Sequence, residues 1–246
     1  MTVSDQRARE AFVALSSTLV DDFDIIDFLD RLVDCCVEVL GVTAAGLLLV
    51  DHRGTLNMVA ASTEQAMIAE LFQLQNHEGP CLDAYHGGEA VLCADLAGAS
   101  DRWPNFVRAA AGAGFAAVHA LPMRLRGTVI GGLNLFSARQ GALDPATVEV
   151  GQALANVATV AILRQRSARH GDVVVEELQA ALDSRILVEQ AKGVLAERLN
   201  TTVEKSFDLL RRYAHASSVP LAELAAAVVD GSADVALIAA TDVRPA

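Results

Sequence analysis

The chain has 246 residues, 52% of them hydrophobic and 20% charged, enough apolar material for one large or two modest cores and too much for a disordered protein. Its net charge of −12 argues against a protein that coats nucleic acid without specificity, because phosphate neutralisation supplies that kind of affinity. Any nucleic-acid site must therefore be small and local.

In chain order, helices are expected at 8–20 and 23–40. The second carries Ile25, Leu29, Leu32, Cys36 and Leu40 on one apolar face, with Gly41 as its stop. Strands at 45–50 and 56–62, joined by the turn Asp51-His52-Arg53-Gly54, read as a hairpin. A helix at 64–75 follows, then a break at Glu78-Gly79-Pro80-Cys81 and a short helix at 81–86. Gly87-Gly88 leads into a strand at 90–94, and a helix covers 103–113. Two more strands, 117–122 and 128–136, meet across Arg126-Gly127, with Val129, Leu133 and Leu135 facing one way and Gly131 permitting close backbone approach. Pro145 opens a long helix to 169, and only His170-Gly171-Asp172 separates it from another at 173–199. Strands bracketed by helices predict an α+β domain with an antiparallel sheet, ending near 171.

Strand signals cease after 172. The helix at 173–199 is apolar at Leu178, Leu182, Ile186, Val194 and Leu195. Thr201-x-x-Glu204 reads as a capping box for a second helix with the stripe Val203, Phe207, Leu210 and Ala214. Pro220 opens a third, with Leu221, Leu224, Ala225 and Val228 inward and Gly231 beyond its end. The pattern predicts three helices around one small core. Gly193 in mid-helix costs about 1 kcal/mol relative to alanine, so another backbone or a ligand is expected to approach there. Arg185 and Lys192 lie within about 20° of one line on that helix, and Arg211-Arg212 add positive charge on the next. Acidic residues outnumber basic ones across 176–231, so two readings stand: arginines solvated or paired with Glu189 and Glu197, or a local basic site.

The run SRILVEQAKGVLAER, then FDLLRRYA, then VPLAELAAAVV, resembles an ANTAR domain over its whole length. ANTAR domains are three-helix modules of transcription-antitermination regulators, so the resemblance implies binding of paired RNA stem-loops with short hexanucleotide loops. Carried onto this sequence, it implies RNA contacts at Ala191, Lys192, Gly193, Arg198 and Arg211. Together with Ser184, Arg185 and Arg212 from the same helices these form the expected RNA surface, with close approach at Ala191 and Gly193 and the cations on phosphates or base edges. Tyr213 reads as half-buried packing.

The stretches AAGLLLVDHRGTL, EGPCLDAYHGGEAVLCADL, WPNF and GFAAVHALPMRLRGTVIGGLNLF resemble a GAF domain, an α+β sensor module that dimerises through its terminal helices and holds small molecules in a pocket over its sheet. The expected organisation is thus a GAF sensor at 10–168, a helical linker at 169–175, an ANTAR domain at 176–231 and a tail at 232–246. Cys81, Trp103 and His119 are the candidate pocket residues; the ligand or cofactor is unknown. Cys81 reads as a buried small residue, the alternative being a thiol whose pKa is lowered by its place where a helix begins. A homodimer is the expected assembly.

No phosphate loop, His-Glu-x-x-His helix or Gly-x-Ser-x-Gly elbow is present, no spacing matches a zinc site, and no catalytic or metal-binding residue is expected. The best enzymatic rival is a GAF-fold thiol enzyme reducing a small sulfoxide, with Cys81 as nucleophile and Cys93 as resolver. A second rival makes the helical unit a docking module for a protein partner. No apolar run reaches the ~18 residues that cross a bilayer and the N-terminus lacks an apolar signal segment, so a cytoplasmic protein with reduced cysteines is expected.

Overall fold

The computed structural model describes residues 12, 13, 15, 24–51, 53–125, 127–168, 174–217 and 219–240. Most of the expected N-terminal helix and the linker around Gly171 therefore lie outside the described residues.

Helix α1 (Ile25–Leu40) starts at Asp24, whose carboxylate accepts from the amides of Ile26 and Asp27, and stops at Gly41 in the left-handed conformation. Strands β1 (Ala44–Val50) and β2 (Leu56–Ala61) form the expected hairpin. Helices α2 (Glu64–Asn76) and α3 (Pro80–Gly87) lead to β3 (Val91–Cys93), a 3-10 turn at Ala97–Ala99 and α4 (Pro104–Gly112). Strands β4 (Ala117–Leu125) and β5 (Thr128–Ser137) complete an antiparallel sheet in the order β2-β1-β5-β4-β3.

Strand alternation divides the apolar residues between two layers. Leu47, Leu49, Leu121, Leu133 and Leu135 pack with α1 and with α5 (Pro145–Ala168) on one face. Ala44, Leu48, Val118, Ala120 and Phe136 pack with α2, α3 and α4 on the other. One expectation fails here for a local reason. Arg124 pairs with Val129 and Met123 with Gly131, so Ile130 is the extra residue of a β-bulge. The alternation resets at that point: Ile130 joins Leu133 and Leu135, and Val129 turns toward Gly88 at the end of α3. Gly131 does allow close approach, since a Cβ there would collide with the Leu48 carbonyl of β1.

The C-terminal unit is α6 (Val174–Leu199), α7 (Val203–Ser217), α8 (Leu221–Asp230) and a fourth helix, α9 (Val235–Ala240). The stretch expected to be a plain tail thus contributes a helix, whose Ile238 is fully buried. The stripes of α6 and α7 hold at Leu195, Leu210 and Ala214, which are buried, and at Val194 and Phe207, which pack against the core. Ile186 and Val203 face solvent, while Val188, Ala191, Leu195, Leu209 and Leu210 are buried with Leu221, Leu224, Ala225 and Val228 of α8. The Leu178 and Leu182 side chains lie outside the described ones. The cap of α7 is Thr202 rather than Thr201, its hydroxyl accepting from the Lys205 amide at 3.2 Å. The buried apolar residues of this unit are continuous with those of α1 and the adjoining sheet face.

Candidate nucleic-acid interface and sensor core

Three of the expected basic residues are brought together. Arg185 and Lys192 on α6 converge on Glu189: Arg185 Nη2 lies 2.8 Å and Lys192 Nζ 2.9 Å from its carboxylate. Arg211 on α7 shares the Phe207 ring with Lys192, the two cations at 5.4 and 5.1 Å from its centroid. The α6 pairs reproduce the helical spacing that lets side chains three and four apart meet.

Other acids come from α1, which the sequence reading had treated only through its apolar face. Arg185 Nη1 is 2.8 Å from both oxygens of Asp30, and each side chain of the pair is only 8% exposed. Arg185 Nε is buried without a partner among the described residues. Burial pushes the Asp30 carboxyl up to about 6, and the Arg185 guanidinium works against that rise. Arg211 Nε pairs with Asp27 at 2.5 Å, and the Ala222 amide at the start of α8 donates to Asp24 at 3.4 Å.

The remaining expected residues are dispersed. Ser184 is half-buried. Ala191 is 0% exposed and sets helix spacing rather than presenting a surface, which corrects its assignment to the RNA face. Gly193 is exposed, and a Cβ built there meets nothing within 4 Å. No backbone among the described residues approaches it. With Gln190, Val194, Glu197, Arg198 and Val229 it lines a shallow depression. Arg212 is exposed and lines a cleft between α1 and α7 with Arg31, Asp208 and His215.

In the sensor domain, the three expected pocket residues do not share one site. Cys81 and Trp103 lie on the α2–α4 face of the sheet. His119 opposes Leu135 in the register and so points to the α1/α5 face, because alternate β4 residues leave opposite sides of the sheet. It is fully buried, and burial lowers its pKa against the opposing effect of the Gly141 backbone. Trp103 is a core anchor whose indole N–H donates to Asp83 at 3.1 Å, while the Arg102 guanidinium sits on its ring and pairs with Asp83. Glu78 reaches the N-terminus of α4, accepting from the amides of Asn105 and Phe106. The EGPC and WPNF stretches are thus tied together by hydrogen bonds.

Beside Cys81 lies a cluster that the sequence reading missed. Glu70 of α2 is fully buried and accepts from Asn134 Nδ2 at 2.6 Å and from Gln73 Nε2 at 2.7 Å. The Cys81 amide donates to Gln73 Oε1 at 2.7 Å. Glycines 46, 79 and 132 leave the space that Glu70, Gln73 and Cys81 occupy. Burial raises the Glu70 carboxyl from 4.5 to about 7. Cys81 is fully buried, as the packing reading expects. Burial, and then the neighbouring Glu70, also push its thiol well above its ordinary value, the reverse of the helix alternative. Cys93 is raised by burial as well. Neither thiol has the depressed pKa that makes a nucleophile at neutral pH, and all four cysteines are free.

The sheet order and flanking helices are those of a GAF fold. Solved structures with the same fold include the GAF domain of an Acinetobacter phosphoenolpyruvate-protein phosphotransferase, with a TM-score of 0.54 at 14% identity over 70% of this chain and 100% of that one. The free methionine-R-sulfoxide reductase of Neisseria meningitidis has a TM-score of 0.53 at 21% identity over 68% of this chain and 96% of that one. The corresponding Coxiella burnetii phosphotransferase GAF domain has a TM-score of 0.53 at 15% identity, covering 68% and 98%. At these identities the likeness concerns the fold alone. No curated protein matches the chain. The GAF domain model matches residues 24–163 and the ANTAR domain model residues 176–229. The chain belongs to the GAF family and carries an ANTAR domain, the module of RNA-binding antitermination regulators, after its sensor. No described helix is long and apolar enough to cross a membrane.

Proposed function

We propose that this protein is a signal-responsive antitermination regulator whose ANTAR domain binds tandem RNA stem-loops with short loops. The observation that carries the reading is Gly193. A glycine inside a helix costs about 1 kcal/mol relative to alanine, and here no neighbour among the described residues makes use of the missing side chain. A partner outside the chain accounts for it, and the flanking cations suit phosphates and base edges. Lys192 and Arg198 are the contacts expected beside it, with Arg211, Arg212 and Arg185 extending the surface, Ser184 at its margin, and a dimer presenting two such surfaces to paired loops. The GAF domain supplies the response to a signal of unknown chemistry, acting from the cytoplasm.

The test is binding of the full-length protein to an RNA with two hexanucleotide-loop stems, beside a loop-scrambled control. Lys192→Ala and Gly193→Ala are each expected to weaken loop-dependent binding about ten-fold or more. Equal affinity for both RNAs, or variants indistinguishable from the parent, would overturn the reading in favour of a protein-docking module.

A further inference from the structure

Helix α1 has two working faces. Ile26, Leu29, Leu32 and Val33 build the sensor core, while Asp24, Asp27, Asp30 and Asp34 recur every three or four residues along another side. Three of these acids reach three different helices of the ANTAR domain. Asp30 holds Arg185 of α6, Asp27 holds Arg211 of α7, and Asp24 accepts from the first turn of α8. Asp34 lies further along, close enough to Arg211 to feel its charge, with Asp208 also near.

The groups engaged are those an RNA backbone would use: two guanidinium groups and a helix N-terminal amide. A row of carboxylates one helical turn apart meets them as a row of phosphates would. The pairs are formed and held in place by apolar residues continuous across the junction, Arg185 being almost wholly buried and Arg211 partly exposed. While α1 stays seated, RNA therefore cannot reach Arg185 and must displace Asp27 to pair with Arg211. We infer that the acidic stripe of α1 is a built-in competitor of RNA, and that the described arrangement is the closed state of the protein. The inference rests on the RNA reading above and adds its regulation. Release separates Asp30 from Arg185 and Asp27 from Arg211, returns the acids to water, and leaves both cations to phosphate. Glu189, being on α6 itself, stays with the ANTAR domain in either state. Because the other side of α1 packs on the sheet, movement in the sensor reaches the stripe directly.

The experiment uses the full-length protein, the same two-loop RNA and amide hydrogen exchange of the free protein. Asp27→Asn breaks a partly exposed pair and is expected to tighten binding about two- to five-fold. Asp30→Asn breaks the buried one and is expected to tighten it about ten-fold or more. Both variants should speed exchange in α7 and α8 before RNA is added. Asp101→Asn, an exposed acid beside α4, controls for the loss of one negative charge. If Asp30→Asn does not fold, the direction of the Asp27→Asn effect decides. Unchanged or weaker binding by Asp27→Asn, or equal tightening by Asp101→Asn, overturns the competitor while leaving the RNA reading intact. Absence of loop-dependent binding in parent and variants alike sinks the RNA reading and the competition with it.

Discussion

Helices α4 and α8 begin with the same deficiency. Trp103 and Pro220 stand at their N-caps, and neither supplies a side-chain acceptor to the first-turn amides. Each helix is completed by a carboxylate distant in sequence, Glu78 for α4 and Asp24 for α8. The difference is that Glu78 belongs to the same domain as its helix, whereas Asp24 belongs to the other domain and already caps α1. The sensor is therefore closed upon itself, while the last ANTAR core helix is finished only against α1. The buried carboxylates follow the same division. Inside the sensor Glu70 is surrounded by amides, and at the junction Asp30 meets a guanidinium that separation would return to water.

Breaking the junction outright gives the largest expected effect. Arg185→Met strands Asp30 without its cation, and urea unfolding at pH 8 should show a loss of about 3–5 kcal/mol. Burial holds the Asp30 carboxyl up to about 6 even with Arg185 beside it, and losing that cation raises it further. Much of that loss should therefore vanish at pH 5, where the proton replaces the cation. An equal loss at both values would show that packing, not charge, is what Arg185 supplies. The sensor side is sharpened by Glu70. Its native pKa is raised from 4.5 to about 7, so the native state holds the proton more tightly than the unfolded chain. That stabilisation is fully present below pH 4.5 and is lost as pH rises through 7, about 3 kcal/mol in all. Glu70→Gln should flatten the slope in unfolding measured at pH 5 and 8. The caps give the smallest effects, about 1 kcal/mol each for Glu78→Ala and Asp24→Ala. Amide exchange separates them: Glu78→Ala should quicken α4 alone, and Asp24→Ala both α1 and α8. Quickening confined to α1 would mean that α8 needs nothing from the sensor.

What was legible in the sequence was local. Gly41, Pro145 and Gly231 mark helix ends because a left-handed residue or a fixed φ is a property of one position. The hairpin 45–62 and the strands at 117–136 follow from alternation over a few residues. What escaped depends on partners far along the chain. The bulge at Ile130 is decided by pairing with β4, and it reverses Val129. Asp30 and Arg185 are 155 positions apart, Glu70 and Asn134 are 64 apart, and neither pattern betrays the other. In the candidate interface, helical spacing and resemblance picked out Arg185, Lys192 and Arg211, yet the meeting of Lys192 and Arg211 over Phe207, and the pairing of Arg185 and Arg211 with α1, required three-dimensional contacts. The acid spacing along α1 was visible all along, but its meaning depended on what lay opposite. Ile238 was missed because α9 is too short to show a period.

The open surface around Gly193 carries a consequence for anyone who tries to improve this protein. Alanine at 193 would meet no obstacle and would strengthen α6 by about 1 kcal/mol. A selection for heat resistance alone would therefore find this position early and favour its replacement. On the proposed reading, the surviving clones would be hardier than the parent and deaf to their transcripts. Thermal robustness and regulatory competence pull in opposite directions at a single hydrogen atom.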